Sequence, residues 1–166
     1  MVTTAPANLA RFWLALSVTG VLTALVVFSA TAASAGECPA DKVTTDGQKN
    51  GSSGSHDGVS DDVLGMIDLS KEKVNVPGRL FRMRRLVVQP GAEVPWHEHS
   101  DRPALIYVVS GSITEYSSHC EVPIVHKAGD LSVEQGGLSH WWKNTSKEPA
   151  TLISADIAKD PKDKGM

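Results

Sequence analysis

Helical periodicity is what this sequence has least of: after residue 60 no stretch repeats apolar residues at helical spacing over three turns, which leaves short strands as the repeating unit. Charge of one sign is scarce as well. Sixteen Lys and Arg stand against nineteen Asp and Glu, with no long like-charge block, and a mildly acidic chain lacks the basic face that nucleic acid demands. Cysteine is limited to Cys38 and Cys120, so one disulfide is the most that can form. The longest apolar run, Phe12 to Phe28, is broken by Ser17, Thr19, Gly20 and Thr23 and falls short of the ~20 residues of a comfortable membrane span.

What surrounds that run gives it a meaning. Arg11 precedes it, and the small-residue stretch Ser29 to Ala35 follows with an A-x-A pattern at Ala33 to Ala35, the layout of a secretory signal peptide cleaved after Ala35. An uncleaved N-terminal anchor is the alternative, and it leaves the remainder on the same side of the membrane. No twin-Arg pair precedes the run, which points to the general secretory route. Residues 1–35 hold one charged side chain, Arg11, so their removal takes the formal charge from −3 to −4. The expectation is an exported protein, periplasmic or extracellular, with no stable membrane insertion after cleavage. Cys38 and Cys120 are expected to pair, because an exported compartment permits disulfides; two unpaired thiols are the alternative.

Downstream the chain divides by composition. Residues 36–62 are read as a flexible N-terminal arm and linker, since Thr44 to Asp62 is almost entirely Gly, Ser, Asp, Asn and Lys; His56 within it is a solvated loop residue. Residues 63–160 carry the domain and 161–166 a tail. Strand-like runs are predicted at Val63 to Leu69, Leu80 to Val88, Val94 to His99, Ala104 to Val109, Ile113 to Tyr116, Val122 to His126, Leu131 to Glu134, Ser139 to Asn144 and Ala150 to Ile157, most of them bounded by Gly, Pro, Ser or Asn. Many short strands at regular spacing make an all-β sandwich or barrel.

Two of these strands carry chemistry. Side chains alternate along a strand, so His97 and His99 point the same way and Glu98 the other. His140 on a later strand completes a set of three imidazoles, a donor set suited to one divalent transition metal, whether Fe, Mn, Ni, Cu or Zn, with positions left open for water or substrate.

The same segments resemble the two signature motifs of the cupin superfamily, G-x5-H-x-H-x(3,4)-E-x6-G and G-x5-P-x-G-x2-H-x3-N. Gly91, His97, His99 and Gly111 fall on the first, and Gly129, Gly137, His140 and Asn144 on the second. The resemblance covers roughly Leu80 to Ile157 and implies a double-stranded β-helix, the jelly-roll cupin barrel, with a metal in its mouth. Two positions depart from it: Ala104 stands where the first motif carries Glu, and Gln135 where the second carries Pro. The usual carboxylate ligand is therefore expected to be absent, with Asp101 on the connecting loop as its candidate substitute.

Around the imidazoles, Trp142 shares a face with His140 and is expected to wall the pocket, while Trp96 and Trp141 face outward towards core packing or a dimer interface. Arg102, next to the first motif, is the candidate anchor for a substrate carboxylate. Arg82 and Arg84 share one face of their strand and Arg85 the other, most of this group being expected on a solvated face with cross-strand acidic partners. His119 and His126 lie off the motifs and are read as surface or edge residues. Three functions remain open for such a protein: an iron-dependent dioxygenase acting on a small molecule, a non-catalytic module that binds a small ligand or metal, and a metal-free structural cupin. No catalytic residue is assigned, and a homodimer is a family expectation.

Overall fold

Apolar residues at every second position, many of them β-branched, form nine strands in a computed structural model that describes residue 1 and residues 36–160. Apart from Met1, the expected signal peptide and the 161–166 tail lie outside the described residues. The strands are β1 (Val59–Asp68), β2 (Leu80–Val88), β3 (Glu93–Glu98), β4 (Ala104–Ser110), β5 (Ser112–Ser117), β6 (Ile124–Lys127), β7 (Leu131–Glu134), β8 (Ser139–Lys143) and β9 (Ala150–Ala158). They pair antiparallel into a five-stranded sheet, β1-β2-β9-β4-β7, and a four-stranded sheet, β3-β8-β5-β6. The two sheets enclose one core in which Leu86, Val88, Val108, Ile113, Trp142 and Leu152 are buried. This is the expected all-β jelly-roll architecture. Gly111 makes the tight β4–β5 turn at φ 76°, and a Cβ there would lie 2.5 Å from the Pro149 carbonyl oxygen. Asn144 fastens the β8–β9 turn, its Nδ2 donating to the carbonyls of Val88 and Glu148, each at 2.8 Å.

The segment expected to be a flexible linker is instead laid against the barrel. Thr44, Gly47 and Gln48 donate backbone hydrogen bonds to the carbonyls of His119, Ser118 and Ser117, Ser53 donates to Glu93, and the Trp96 amide donates to Ser52 Oγ. The small side chains that suggested flexibility are what permit the fit: a Cβ on Gly47 would stand 2.2 Å from the Cys120 carbonyl oxygen. β1 accordingly starts at Val59 rather than Val63. Cys38 and Cys120 form the expected disulfide, which spans 82 residues; such a cross-link stabilises by about 2–4 kcal/mol, chiefly by restricting the unfolded chain.

The strap also covers Trp141. Trp141 faces away from the core as alternation requires, but it is buried, stacked on Tyr116 at 4.1 Å between centroids, with Gly51 lying over its ring. Its cover is therefore this chain's own N-terminal segment rather than a partner. The outer face of the five-stranded sheet is different. Phe81 and Met83 of β2, Leu105 and Tyr107 of β4, and Leu131 and Val133 of β7 are exposed there, although an open antiparallel sheet ordinarily turns polar residues to water. Among the described residues no helix is long and apolar enough to cross a membrane.

Candidate metal centre

Each of the three imidazoles is oriented by a different local device. His97 pairs with His140 across β3 and β8, and a bulge at Pro95–Trp96 turns Val94 and His97 to the same interior despite their odd separation. His99 lies just beyond β3, tied by its amide to the Leu138 carbonyl at 2.8 Å. His140 is the second residue of β8 and is fully buried.

Their tautomers follow from their partners. Nδ1 of His97 lies 2.7 Å from the Pro95 carbonyl oxygen and Nδ1 of His99 lies 2.8 Å from that of Arg102. A carbonyl only accepts, so both Nδ1 atoms carry the proton. Nδ1 of His140 donates to Glu115 Oε1 at 2.7 Å. All three rings thereby turn Nε2 towards one point, with His140 Nε2 3.1 Å from both His97 Nε2 and His99 Nε2. A fourth acceptor joins them. Glu134 places Oε2 3.1 Å from His99 Nε2 and Oε1 3.4 Å from His140 Nε2.

Four acceptors facing one another in a buried space repel unless positive charge sits between them. Without an ion, protons held at Glu134 and His140 supply part of that charge. Burial, reinforced by His140, pushes His97 down to about 2 and His99 down to about 3, so both are neutral and able to ligate. Burial pushes Glu134 up to about 7. At His140 burial is outweighed by Glu134 and Glu115, and the ring is held above its ordinary value. One atom from each of His97, His99, Glu134 and His140 lies within 4.8 Å of the other three, an arrangement able to hold a metal ion. Nitrogens bound ~2.1 Å from one ion at right angles stand about 3.0 Å apart, close to the spacing seen here.

The carboxylate was the residue missed by sequence reasoning, and the expected substitute is not it. Asp101 is exposed and engaged by Arg79 and Lys159, because the loop carries it outward. Glu134 instead comes from β7, in direct register with Ala104 of β4: the small side chain at the usual carboxylate position leaves room for a carboxylate from the strand beside it. Alternation along Leu131–Glu134, which buries Ser132 and Glu134 while exposing Leu131 and Val133, was the available signal. Glu134→Gln is expected to weaken metal binding by at least about tenfold while Asp101→Asn leaves it unchanged. Competition against a chromogenic chelator measures both, and the reverse ranking would restore Asp101.

Behind the imidazoles lies a second carboxylate. Glu115 is buried and joins His140 Nδ1 to His126 Nε2, the latter at 2.8 Å. Its burial is outweighed by hydrogen bonds from His126 and His140, which hold it at about 2. A carboxylate in this position fixes the tautomer and raises the basicity of a ligating imidazole. His126 is thus an interior residue, not the expected surface one, since it shares the buried face of β6 with Ile124. His119 remains half-buried, away from the four ligands.

The arginines likewise turn inward. Arg82 and Arg84 are buried rather than solvated. Asp156 of β9, the cross-strand partner of Arg82, accepts from Arg82 Nε and Nη2 at 3.0 and 2.7 Å and from Arg102 Nη1 at 2.9 Å, and Asp61 accepts from Arg84 Nη1 at 2.7 Å. Hydrogen bonds from Arg82 and Arg102 overcome burial to hold Asp156 below the usual carboxylate range. Arg84, Arg102, His97, Glu134, Ser154 and Trp142, together with apolar side chains, line a small, partly open cavity of about 20 Å³.

Residues 84–156 match the family described as the cupin domain. Solved structures similar to this chain include the cupin domain of Schizosaccharomyces pombe Cnp3, with 19% identity and a TM-score of 0.47 over 61% of this chain and 65% of that one. Oxalate oxidase in complex with the substrate analogue glycolate gives 22% and 0.49 over 68% of this chain and 57% of that one. KdgF from Halomonas sp. gives 14% and 0.48 over 62% and 82%. The chain thus spans less than two thirds of the length of the first two, and likeness at this level concerns the fold. No match was found among curated proteins. The match over residues 84–156, together with the two antiparallel sheets and both histidine motifs, thus identifies a cupin domain within this chain.

Proposed function

We propose that this protein is an exported cupin that binds one divalent transition metal, Fe, Mn, Ni, Cu or Zn, through His97, His99, His140 and Glu134, and uses the adjoining cavity for a small-molecule ligand in oxygen-dependent chemistry of the dioxygenase type. The observation that carries the reading is the convergence of three Nε2 atoms from rings whose Nδ1 atoms are engaged elsewhere. Four protein ligands leave two places of an octahedral ion open, and a bound metal supplies Lewis-acid or redox chemistry there. The chain's own side chains hold the donors in place and exclude water: Glu115 orients His140, Trp142 walls the cavity, and Arg102 presents a guanidinium to a ligand. The disulfide supports export.

Purified from the export compartment, the protein is expected to carry about one equivalent of a transition metal per chain and to consume oxygen with a suitable thiol, diketone or aromatic acid. Absence of metal even after reconstitution would overturn the reading in favour of a structural cupin. Metal without oxygen uptake across these substrates would overturn its catalytic part and leave a binding module.

A second copy of the chain is proposed as the cover for the apolar outer face of the five-stranded sheet. From the fractional exposures of its six large side chains, this face offers on the order of 550 Å² per chain, a large part of the ~800 Å² each partner buries in a stable interface. Light scattering is expected to give a dimer, and Leu105→Asp with Tyr107→Glu to give a folded monomer. A monomeric parent protein would exclude the dimer.

A further inference from the structure

We propose that His126 is a positioning residue of the metal centre, acting on His140 through Glu115. This rests on the metal-binding reading and adds a residue that belongs neither to the four ligands nor to the cavity lining.

The four-stranded sheet contributes one polar side chain per strand to a single line. In the order β3-β8-β5-β6 these are His97, His140, Glu115 and His126. His97 Nε2 lies 3.1 Å from His140 Nε2, His140 Nδ1 lies 2.7 Å from Glu115 Oε1, and His126 Nε2 lies 2.8 Å from Glu115 Oε2. Glu115 therefore receives one imidazole on each oxygen, because β5 stands between the two strands that supply them. With both oxygens held, the carboxylate cannot turn without breaking a buried hydrogen bond. Its Oε1 stays in front of His140 Nδ1, and that sets the direction in which the ring presents Nε2 to an ion.

His126 has no comparable partner elsewhere. It is 1% exposed, and its Nδ1 has no hydrogen-bond partner among the described residues. A buried ring nitrogen left in this state is unfavourable, and an apolar side chain at the same point of β6 would avoid it. What the imidazole supplies and an apolar ring cannot is the Nε2 proton donated to Glu115, since an ionised carboxylate only accepts. A second route to the centre runs through packing. The His126 ring lies on Trp142 at 4.6 Å between centroids, and Trp142 meets the His140 ring edge-on at 5.6 Å. His126→Phe keeps an aromatic ring against Trp142 while removing the donor, so the two routes can be separated.

The test is competition for Zn²⁺ between the mature protein and a chromogenic chelator. His126→Phe is expected to lower zinc affinity at least about tenfold, and His126→Gln, whose amide can still donate to Glu115, to restore part of it. Glu115→Gln is expected to lower the affinity as well, and in that background His126→Phe should have no further effect, because the route is already broken. Additive losses in the double variant, or zinc affinity unchanged by His126→Phe, would overturn this proposal and leave the metal reading standing. If His126→Phe fails to fold, NMR spectra of the isotope-labelled histidines in the parent protein decide the matter. A protonated His126 Nε2 whose resonance moves on zinc uptake is expected, and a resonance indifferent to zinc would overturn the proposal. Failure of the parent protein to take up zinc or any other of the proposed ions would overturn both readings.

Discussion

His140→Ala is expected to take bound metal from one equivalent to none. No other ligand is so constrained: the ring is fully buried, its Nδ1 is held by Glu115 and its Nε2 touches His97, His99 and Glu134 at once. The loss is not confined to coordination. Glu115 keeps its hydrogen bond to His126 but loses the one to His140, and an unsatisfied buried acceptor costs about 1–3 kcal/mol. Metal that binds only the folded chain stabilises it further, by about 4 kcal/mol at a thousandfold excess over its dissociation constant. Thermal unfolding with and without chelator should therefore show a large shift for the parent protein and none for His140→Ala. His56→Ala, in the exposed part of the strap, should behave as the parent. Stoichiometric metal in His140→Ala would refute the assignment of the centre.

Asp156→Asn is expected to cost about 3–5 kcal/mol of stability, the penalty of leaving buried positive charge without its partner. Asp156 receives Arg82 through both carboxylate oxygens and Arg102 through one of them, and lies 3.4 Å from Arg84. Amide replacement keeps the shape and removes the charge that balances these groups. The exposed Arg85–Asp62 pair on the same sheet gives the contrast: Asp62→Asn should change stability by less than about 1 kcal/mol, because solvent screens such pairs. Urea unfolding of the two variants separates the cases, and equal small effects would mean that the interior arginines are balanced in some other way.

These outcomes bear on how much of the molecule could be read from its residues. The strands were legible because alternation is a local property, and the boundaries moved mainly where the chain does something irregular: β1 begins four residues earlier, at Val59, and His99 lies past the end of β3. His97, His99 and His140 were legible because motif spacing fixes them. Glu134 was not, since the missing carboxylate was sought along the same strand and loop, whereas the register of β4 with β7 supplies it from the side. Arg82, Arg84 and His126 were placed on the surface for a similar reason. A charged side chain in an alternating strand reads as outward until its buried partner, contributed by another strand, is known; here the partners are Asp156, Asp61 and Glu115.

By itself the sequence determined the strand-built class, the three imidazoles and the one pairing open to its two cysteines, all of which rest on period, spacing or count. Tertiary structure alone decided that Ala104 makes way for Glu134, that the Gly- and Ser-rich arm is a strap over Trp141, and that three arginines point into the barrel. The division has one physical cause. Alternation states which residues share a face, but which face is buried, and against what charge, depends on strands brought together from distant parts of the chain.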